Sequence, residues 1–185
     1  MEFNHSAIAV LEYTSITRGL FIVDVVTKKA PVEVLWADPV SHGKYILLFS
    51  GGVAEVEESY KAALEASGET LVENIFIPQV TRKLGSAIGG KTESPKPQTS
   101  VGMLESSSIA ASVEAADRVL KTAPLQLNRF HLGKGLGGKS YFIFSGELDD
   151  VQAGLEAGRE ILESYGSFVD LELIARPEAE FLEVL

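Results

Sequence analysis

Cysteine is absent from this chain of 185 residues. Its absence excludes disulfide bridges and any metal or iron–sulfur site that is held by thiolates. Histidine is scarce too: the three residues, His5, His42 and His131, lie far apart in the sequence and form no metal-binding spacing. Within one chain the sequence therefore predicts neither a metal site nor a cofactor. His42 would gain interest only if three or more chains met at its turn, because symmetry would then turn one residue into a ring.

Positive charge is also in short supply, with 16 lysines and arginines against 26 acidic residues and a net charge of −10. A chain of this charge has no general attraction for nucleic acid or for an anionic lipid membrane. No apolar run approaches the length of about 20 residues that a membrane span needs. Residues 1–10 lack the basic start and apolar core of a secretory signal, so we expect a cytoplasmic protein.

What the chain does contain is ample apolar content, 45% of its residues, and an internal repeat. Residues 11–31 read LEYTSITRGLFIVDVVTKKAP, and residues 104–124 read LESSSIAASVEAADRVLKTAP, with matching letters at one constant offset. Such self-similarity indicates a duplicated module. We expect a first domain at 1–84, a linker at 85–100 rich in Gly, Ser, Thr, Lys and Pro, and a second domain with a C-terminal tail at 101–185.

Each copy predicts the same order of elements. Apolar runs indicate strands at 7–12, 32–37, 45–49 and 71–77, and again at 101–105, 125–132, 141–144 and 168–174. Amphipathic helices follow the first and third strand of each copy, and the first helix of each ends before a proline. The resulting β-α-β-β-α-β order predicts an α+β chain of two tandem ferredoxin-like domains.

The segment GKGLGGKS at 133–140 matches the phosphate-loop pattern. Phosphate binding needs such a loop to open a helix, whose free N–H groups face the anion. Here the loop leads into the apolar run 141–144, which predicts a strand, so we reject a nucleotide site. No G-x-S-x-G elbow frames a serine either, and the chain offers no convincing nucleophile–base set, so we expect no enzyme activity.

Lys28 and Lys121 occupy equivalent repeat positions near the ends of the two first helices. Each lysine could simply stabilise the negative C-terminal end of its helix. Each could equally be an interface residue, and spacing alone does not separate the two interpretations.

Taken together, L-E-x-x-S-I, A-D-x-x-x-K-x-A-P, a Gly-Lys turn, S-G and a terminal A-R-P occur in one order. With these motifs the chain resembles the bacterial microcompartment shell domain, in its tandem, trimer-forming, unpermuted, single-layer branch. The resemblance spans about 7–178. It implies a structural shell protein in which a homotrimer forms a pseudohexameric tile with a central pore, located in the microcompartment shell.

The resemblance also implies roles for residues in the turns and at the tile edge. The turn between the second and third strands of each copy points at the central axis, so we expect a pore for small polar metabolites. Its lining residues would be Ser41, His42, Gly43, Lys44, Lys134, Gly135, Leu136 and Gly137. At the tile edges, Lys28, Lys121 and Arg176 would contact hexameric and other shell proteins. The first copy has Ile77-Pro78-Gln79 where the family has Arg-Pro, so half of the edges would lack the arginine.

Some members of the family hold an iron–sulfur cluster on a cysteine in the first turn. Ser41 stands at that position here, so this ligation is excluded. An alternative function, a small-molecule sensor or regulatory protein, rests on the ferredoxin-like fold alone.

Overall fold

The computed structural model describes residues 5–96 and 98–185, with the backbone alone for His42. Its internal contacts divide the chain into two compact units. The first unit contains residues 5–80 and the short segment Gly133–Gly138, and the second contains residues 81–132 and 139–185. Each unit holds one four-stranded antiparallel sheet.

The first unit follows the predicted β-α-β-β-α-β order. Its elements are β1 (Ala7–Tyr13), α1 (Ile16–Lys29), β2 (Glu33–Val40), β3 (Lys44–Gly51), α2 (Val53–Ser67) and β4 (Leu71–Ile77). The strands lie in the order β2-β3-β1-β4. Alternate residues of β1 and β3 pack with the helices in one buried cluster that includes Leu11, Tyr13, Phe49, Ile22 and Val56.

Local chemistry sets the bounds of these helices. The Ser15 hydroxyl accepts a hydrogen bond from the Arg18 backbone N–H at 3.2 Å, which caps the start of α1. Ala30 is extended, as a residue before Pro31 must be, and this ends the helix. At the end of α2, Gly68 has a φ of 62°, which favours glycine.

The second unit repeats the order after one additional helix. Its elements are α3 (Arg82–Ile88), β5 (Ser100–Ser106), α4 (Ile109–Thr122), β6 (Gln126–His131), β7 (Ser140–Gly146), α5 (Leu148–Ser164), β8 (Phe168–Ile174) and α6 (Ala179–Leu182). The strand order β6-β7-β5-β8 is the same as in the first sheet. The α+β fold predicted for both copies is therefore confirmed.

The α3 helix was not predicted, because its sequence was assigned partly to a linker. The Thr81 hydroxyl caps its start by accepting from the Leu84 N–H at 3.4 Å. Tertiary contacts hold it in the second unit: the Lys83 ammonium donates to the Leu125 carbonyl at 2.5 Å, and the Thr81 N–H donates to the Asp117 carboxylate at 2.8 Å. Contacts with other parts of the second unit thus stabilise this helix. Its own sequence shows no apolar periodicity that would predict it.

The two sheets differ on the face that points away from the helices. On β1 this face carries Ile8, Val10 and Glu12, and all three are fully buried. On β5 the corresponding Met103 and Glu105 are partly exposed. Within the described residues, no helix has the length and apolar character that crossing a membrane would require.

Candidate functional site: two adjoining turns

The first turn joins β2 to β3. Ser41–Gly43 form a single 3-10 turn, and Gly43 has a φ of 75°, a conformation that side-chain-bearing residues rarely adopt. Ser41 is half-buried, and Lys44 begins β3. The His42 side chain lies outside the described part of the structure, so its place in the pore stays a prediction.

An ion pair anchors the base of this turn. The Lys44 Nζ lies 3.2 Å from the Glu12 Oε2, and the Glu12 side chain is fully buried while that of Lys44 is 24% exposed. A carboxylate removed from water in this way requires a charged or hydrogen-bonding partner. The pair therefore fixes the start of β3 against β1 and neutralises the lysine charge next to the turn.

The second turn, between β6 and β7, is longer and rich in glycine. Gly133, Gly135, Gly137 and Gly138 all have φ between 63° and 81°. The Ser140 hydroxyl closes the base of the turn by donating to the His131 carbonyl at 2.8 Å. Because the chain then enters β7, the turn does not open a helix and lacks the N-terminal dipole that a phosphate loop uses.

The structure brings the two turns together. Gly133–Gly138 has its contacts with the first unit, although its flanking strands belong to the second. A Cβ placed on Gly138 would lie 3.5 Å from the Ser41 carbonyl oxygen and 3.9 Å from the Lys44 Cδ. Ser41, Gly43 and Lys44 therefore adjoin a segment that contains Lys134, Gly135, Leu136 and Gly137, of which Lys134 and Leu136 are exposed.

The second repeat carries the equivalent ion pair, but both of its side chains are more exposed to solvent. Lys139 Nζ lies 2.7 Å from Glu105 Oε1, and the two side chains are 51% and 36% exposed. Sequence reasoning missed both pairs. The signal was present, because the Leu-Glu at the start of the repeat and the lysine after the turn recur in both copies.

Two core tyrosines stay neutral near physiological pH. Burial raises the pKa of Tyr13 to about 12, against the smaller opposing effect of its hydrogen bond with Ser67. Burial, and secondarily the charge of Asp38, raises the pKa of Tyr45 at the start of β3. Neither phenol therefore adds charge beside the turns.

The predicted edge residues lie away from the turns. In the last turn of α1, Lys28 Nζ lies 2.7 Å from the Asp24 carboxylate, and the lysine is 74% exposed. The equivalent Lys121 pairs with Asp117, which is buried. Arg176 is exposed after the end of β8. The geometry is compatible with both interpretations of the lysines, so their edge role stays a prediction.

Among the described residues, no group of three or more His, Asp or Glu side chains is placed so that it could hold a metal ion. The described residues of the two turns present hydroxyl, backbone and lysine groups together with the exposed Leu136. Such groups can contact a polar solute without binding it as a cofactor.

Comparison with known proteins identifies the family. Residues 7–80 and 100–177 match the BMC domain. The chain belongs to the BMC domain family. It carries two BMC domains in tandem, so the resemblance found from its motifs is confirmed.

Relatives of this tandem BMC protein share nearly its whole length. Bacterial microcompartment shell protein PduT from Citrobacter freundii is 33% identical over 171 residues, which cover 92% of each chain. The crystal structure of a microcompartment protein from Desulfitobacterium hafniense DCB superposes with a TM-score of 0.86 at 31% identity, covering 97% of this chain and 99% of that one. A fused permuted hexameric shell protein, MSM0275 from the RMM microcompartment, has a TM-score of 0.64 at 19% identity over 86% of this chain and 82% of its own, and shows the fold alone.

Proposed function

We propose that this tandem BMC protein is a structural shell protein of a bacterial microcompartment and assembles as a homotrimer into a pseudohexameric facet tile. The likeness to PduT over 92% of both chains is the observation that carries the proposal. Each chain contains two domains of one fold. Three copies would therefore supply six domains around a closed ring.

In this tile, a central passage is formed by the turns of all three copies. The adjoining positions of the two turns support this, because any axis that passes beside Ser41 also passes beside Gly138. The proposed lining residues are Ser41, His42, Gly43, Lys44, Lys134, Gly135, Leu136 and Gly137.

The chemistry of the lining favours small polar metabolites. Hydroxyls and backbone groups at a constriction can replace part of the hydration shell of a small polar solute, whereas a bulky or apolar solute gains no such compensation. Glu12 balances the charge of Lys44, which prevents that lysine from acting as a bare cation in the passage. Transport in this proposal is passive.

At its edges the tile contacts hexameric and other shell proteins through Lys28, Lys121 and Arg176. The exposure of Lys28 and Arg176 supports this role. No reaction is assigned to the protein, since PduT, which resembles it over 92% of both chains, is a shell protein. No finding favours the alternative of a small-molecule sensor.

The test uses the purified protein without other shell components. We expect light scattering to give three times the chain mass of 19.9 kDa, and flat sheets to form at higher concentration. Sheets deposited over a porous support should pass glycerol, and Ser41→Trp should slow this flux while the trimer persists. Ser94→Trp, at an exposed position outside the turns, is the matched control. A monomer would refute the tile, and an unchanged flux in Ser41→Trp would refute the passage.

A further inference from the structure

A cavity of about 300 Å³ lies within the second unit. It forms where the segment 89–99, which joins α3 to β5, passes beside the start of β6, the end of β7 and the start of α5. Its volume is at the lower end of the range of small-molecule sites, about 300–1,000 Å³. The residues that line it belong neither to the two turns nor to the ion pairs or edge positions described above. The cavity is therefore a separate feature that the proposed tile does not explain.

The lining contains a buried hydroxyl without a partner. Ser145, near the end of β7, is only 4% exposed and lines the cavity, and its side chain makes no hydrogen bond within the described part of the chain. Gln126, its register partner on β6, lines the cavity too, and partners in register stand on the same face of a sheet. A polar group that is removed from water without a partner costs free energy. A ligand in the cavity would supply the missing hydrogen bond.

In the first unit, a nitrogen base of the chain itself lies at the equivalent place. Glu33, the register partner of Ser50, stands at the repeat position of Gln126. The His5 Nε2 lies 2.6 Å from the Glu33 Oε2. The second copy has Gln98 at the position of His5 and therefore brings no basic ring to this place.

The charged groups around the cavity are mostly acidic. Glu93, Glu147 and Asp150 provide three carboxylates, whereas Lys96 provides one ammonium. None of these four side chains forms an ion pair with another described residue. A site with this excess of negative charge attracts cations and repels anions. Residues 5–96 and 98–185 contain no group of side chains placed to hold a metal ion, so the lining favours an organic cation that donates through N–H groups.

We propose that this cavity binds a small aliphatic diamine in its doubly protonated form. One carboxylate comes from the connecting segment, at Glu93, and another from the first turn of α5, at Asp150, and this division favours two ammonium groups over one. The Ser145 hydroxyl accepts from one of the ammonium groups. A ligand held in this way links the connecting segment to α5 and stabilises the second unit by its binding free energy. The site does not depend on the proposed tile.

Calorimetric titration of the full chain with putrescine at low salt tests the proposal. We expect saturable binding at one site per chain, together with a rise in melting temperature. The matched ligand is 1,4-butanediol, which has the same carbon chain but no charge, and it should bind at least about tenfold more weakly because it lacks charge-assisted hydrogen bonds. Added salt should weaken the binding of putrescine and leave that of the diol unchanged.

A pair of neighbouring carboxylates separates the cavity from the general charge of the helix. Asp150→Asn should weaken the binding of putrescine at least about tenfold, because it removes a charged acceptor from the lining. Asp149→Asn is the matched control. Asp149 lies in the same first turn of α5 but does not line the cavity, so its variant should bind like the wild type.

Two further variants keep the test independent of folding. Ser145→Ala should weaken binding about fivefold without lowering the melting temperature of the free protein, because the hydroxyl that it removes has no partner there. Lys96→Gln changes an exposed side chain and should tighten binding about twofold to fivefold, because it removes the competing cation.

The proposal is overturned if putrescine does not bind, if the diol binds equally well, if Asp150→Asn binds like Asp149→Asn, or if Lys96→Gln weakens binding. A trimer that does not bind putrescine would refute this site and leave the tile intact. A monomer that binds it would refute the tile alone.

Discussion

Removing one partner of the buried Lys44–Glu12 pair should destabilise the first unit strongly. Lys44→Met keeps most of the side-chain volume but leaves the Glu12 carboxylate, which is fully buried, without its cation. Breaking a buried ion pair in this way costs about 3–5 kcal/mol. Because Glu12 has a further interaction besides Lys44, we expect the lower end, about 3 kcal/mol.

The second repeat supplies the matched control. Lys139→Met removes the equivalent cation, but its partner Glu105 is 36% exposed and stays hydrated. Exposed pairs contribute about 0–1 kcal/mol, so the two variants should differ by at least about 2 kcal/mol. Trp36 is the only tryptophan and lies in β2, so its fluorescence in urea follows the unfolding of the first unit.

The double variant Glu12→Gln/Lys44→Met separates charge from packing. Replacing both charged partners removes the uncompensated carboxylate, so it should recover part of the stability lost in Lys44→Met. Equal losses in Lys44→Met and Lys139→Met, measured for the unit that each lysine belongs to, would contradict the burial argument. Circular dichroism at 222 nm reports on the helices of both units. The part of its transition that does not coincide with the Trp36 fluorescence therefore follows the unfolding of the second unit.

Two further predictions concern the core of the first unit. The pKa of Tyr13 is raised from 10.0 to about 12, so its stabilising contribution is complete below pH 10 and is lost as the pH rises toward 12. Tyr13→Phe should remove most of this alkaline loss of stability, on the order of 3 kcal/mol, as measured by urea unfolding across this pH range, and an unchanged pH dependence would contradict the prediction. Gly19→Ala would place a Cβ 2.2 Å from the buried Tyr45 ring and should cost about 1–3 kcal/mol by overpacking. Ser112→Ala, the same repeat position opposite Ser140, should cost only about 1 kcal/mol, and a harmless Gly19→Ala would refute the steric argument.

Local sequence signals predicted most elements because the chemistry that sets them is local. Pro31 and Pro124 end the two first helices wherever those helices pack, and Ser15 and Ser108 cap them through backbone N–H groups three residues on. The strands 71–77 and 168–174 agree with β4 and β8 to the residue. The α3 helix escaped prediction because Gly85 and Ser86 are weak helix formers and its stabilising partners are distant in the chain.

The repeat also hid a divergence that only packing reveals. Gly19 leaves room for Tyr45 in the first unit, whereas Ser112 and Ser140 fill the same place with a hydrogen bond of 3.0 Å in the second. When the two copies are aligned, the change from Gly19 to Ser112 and the change from Tyr45 to Ser140 look like two unrelated substitutions, because a sequence comparison scores one position at a time. In the folded chain the two changes compensate each other. A large side chain on the strand faces glycine on the helix in the first unit, and two serines face each other in the second.

The sequence alone determined the duplication, the β-α-β-β-α-β order within each copy and the absence of thiolate chemistry, because each depends on residue identity and short-range spacing. Only the tertiary structure decided that the two turns adjoin, that Glu12 is buried while Glu105 is not, and which helix and sheet faces stay accessible. Burial depends on segments that are distant in the sequence. Two copies with nearly the same local pattern can therefore present different surfaces.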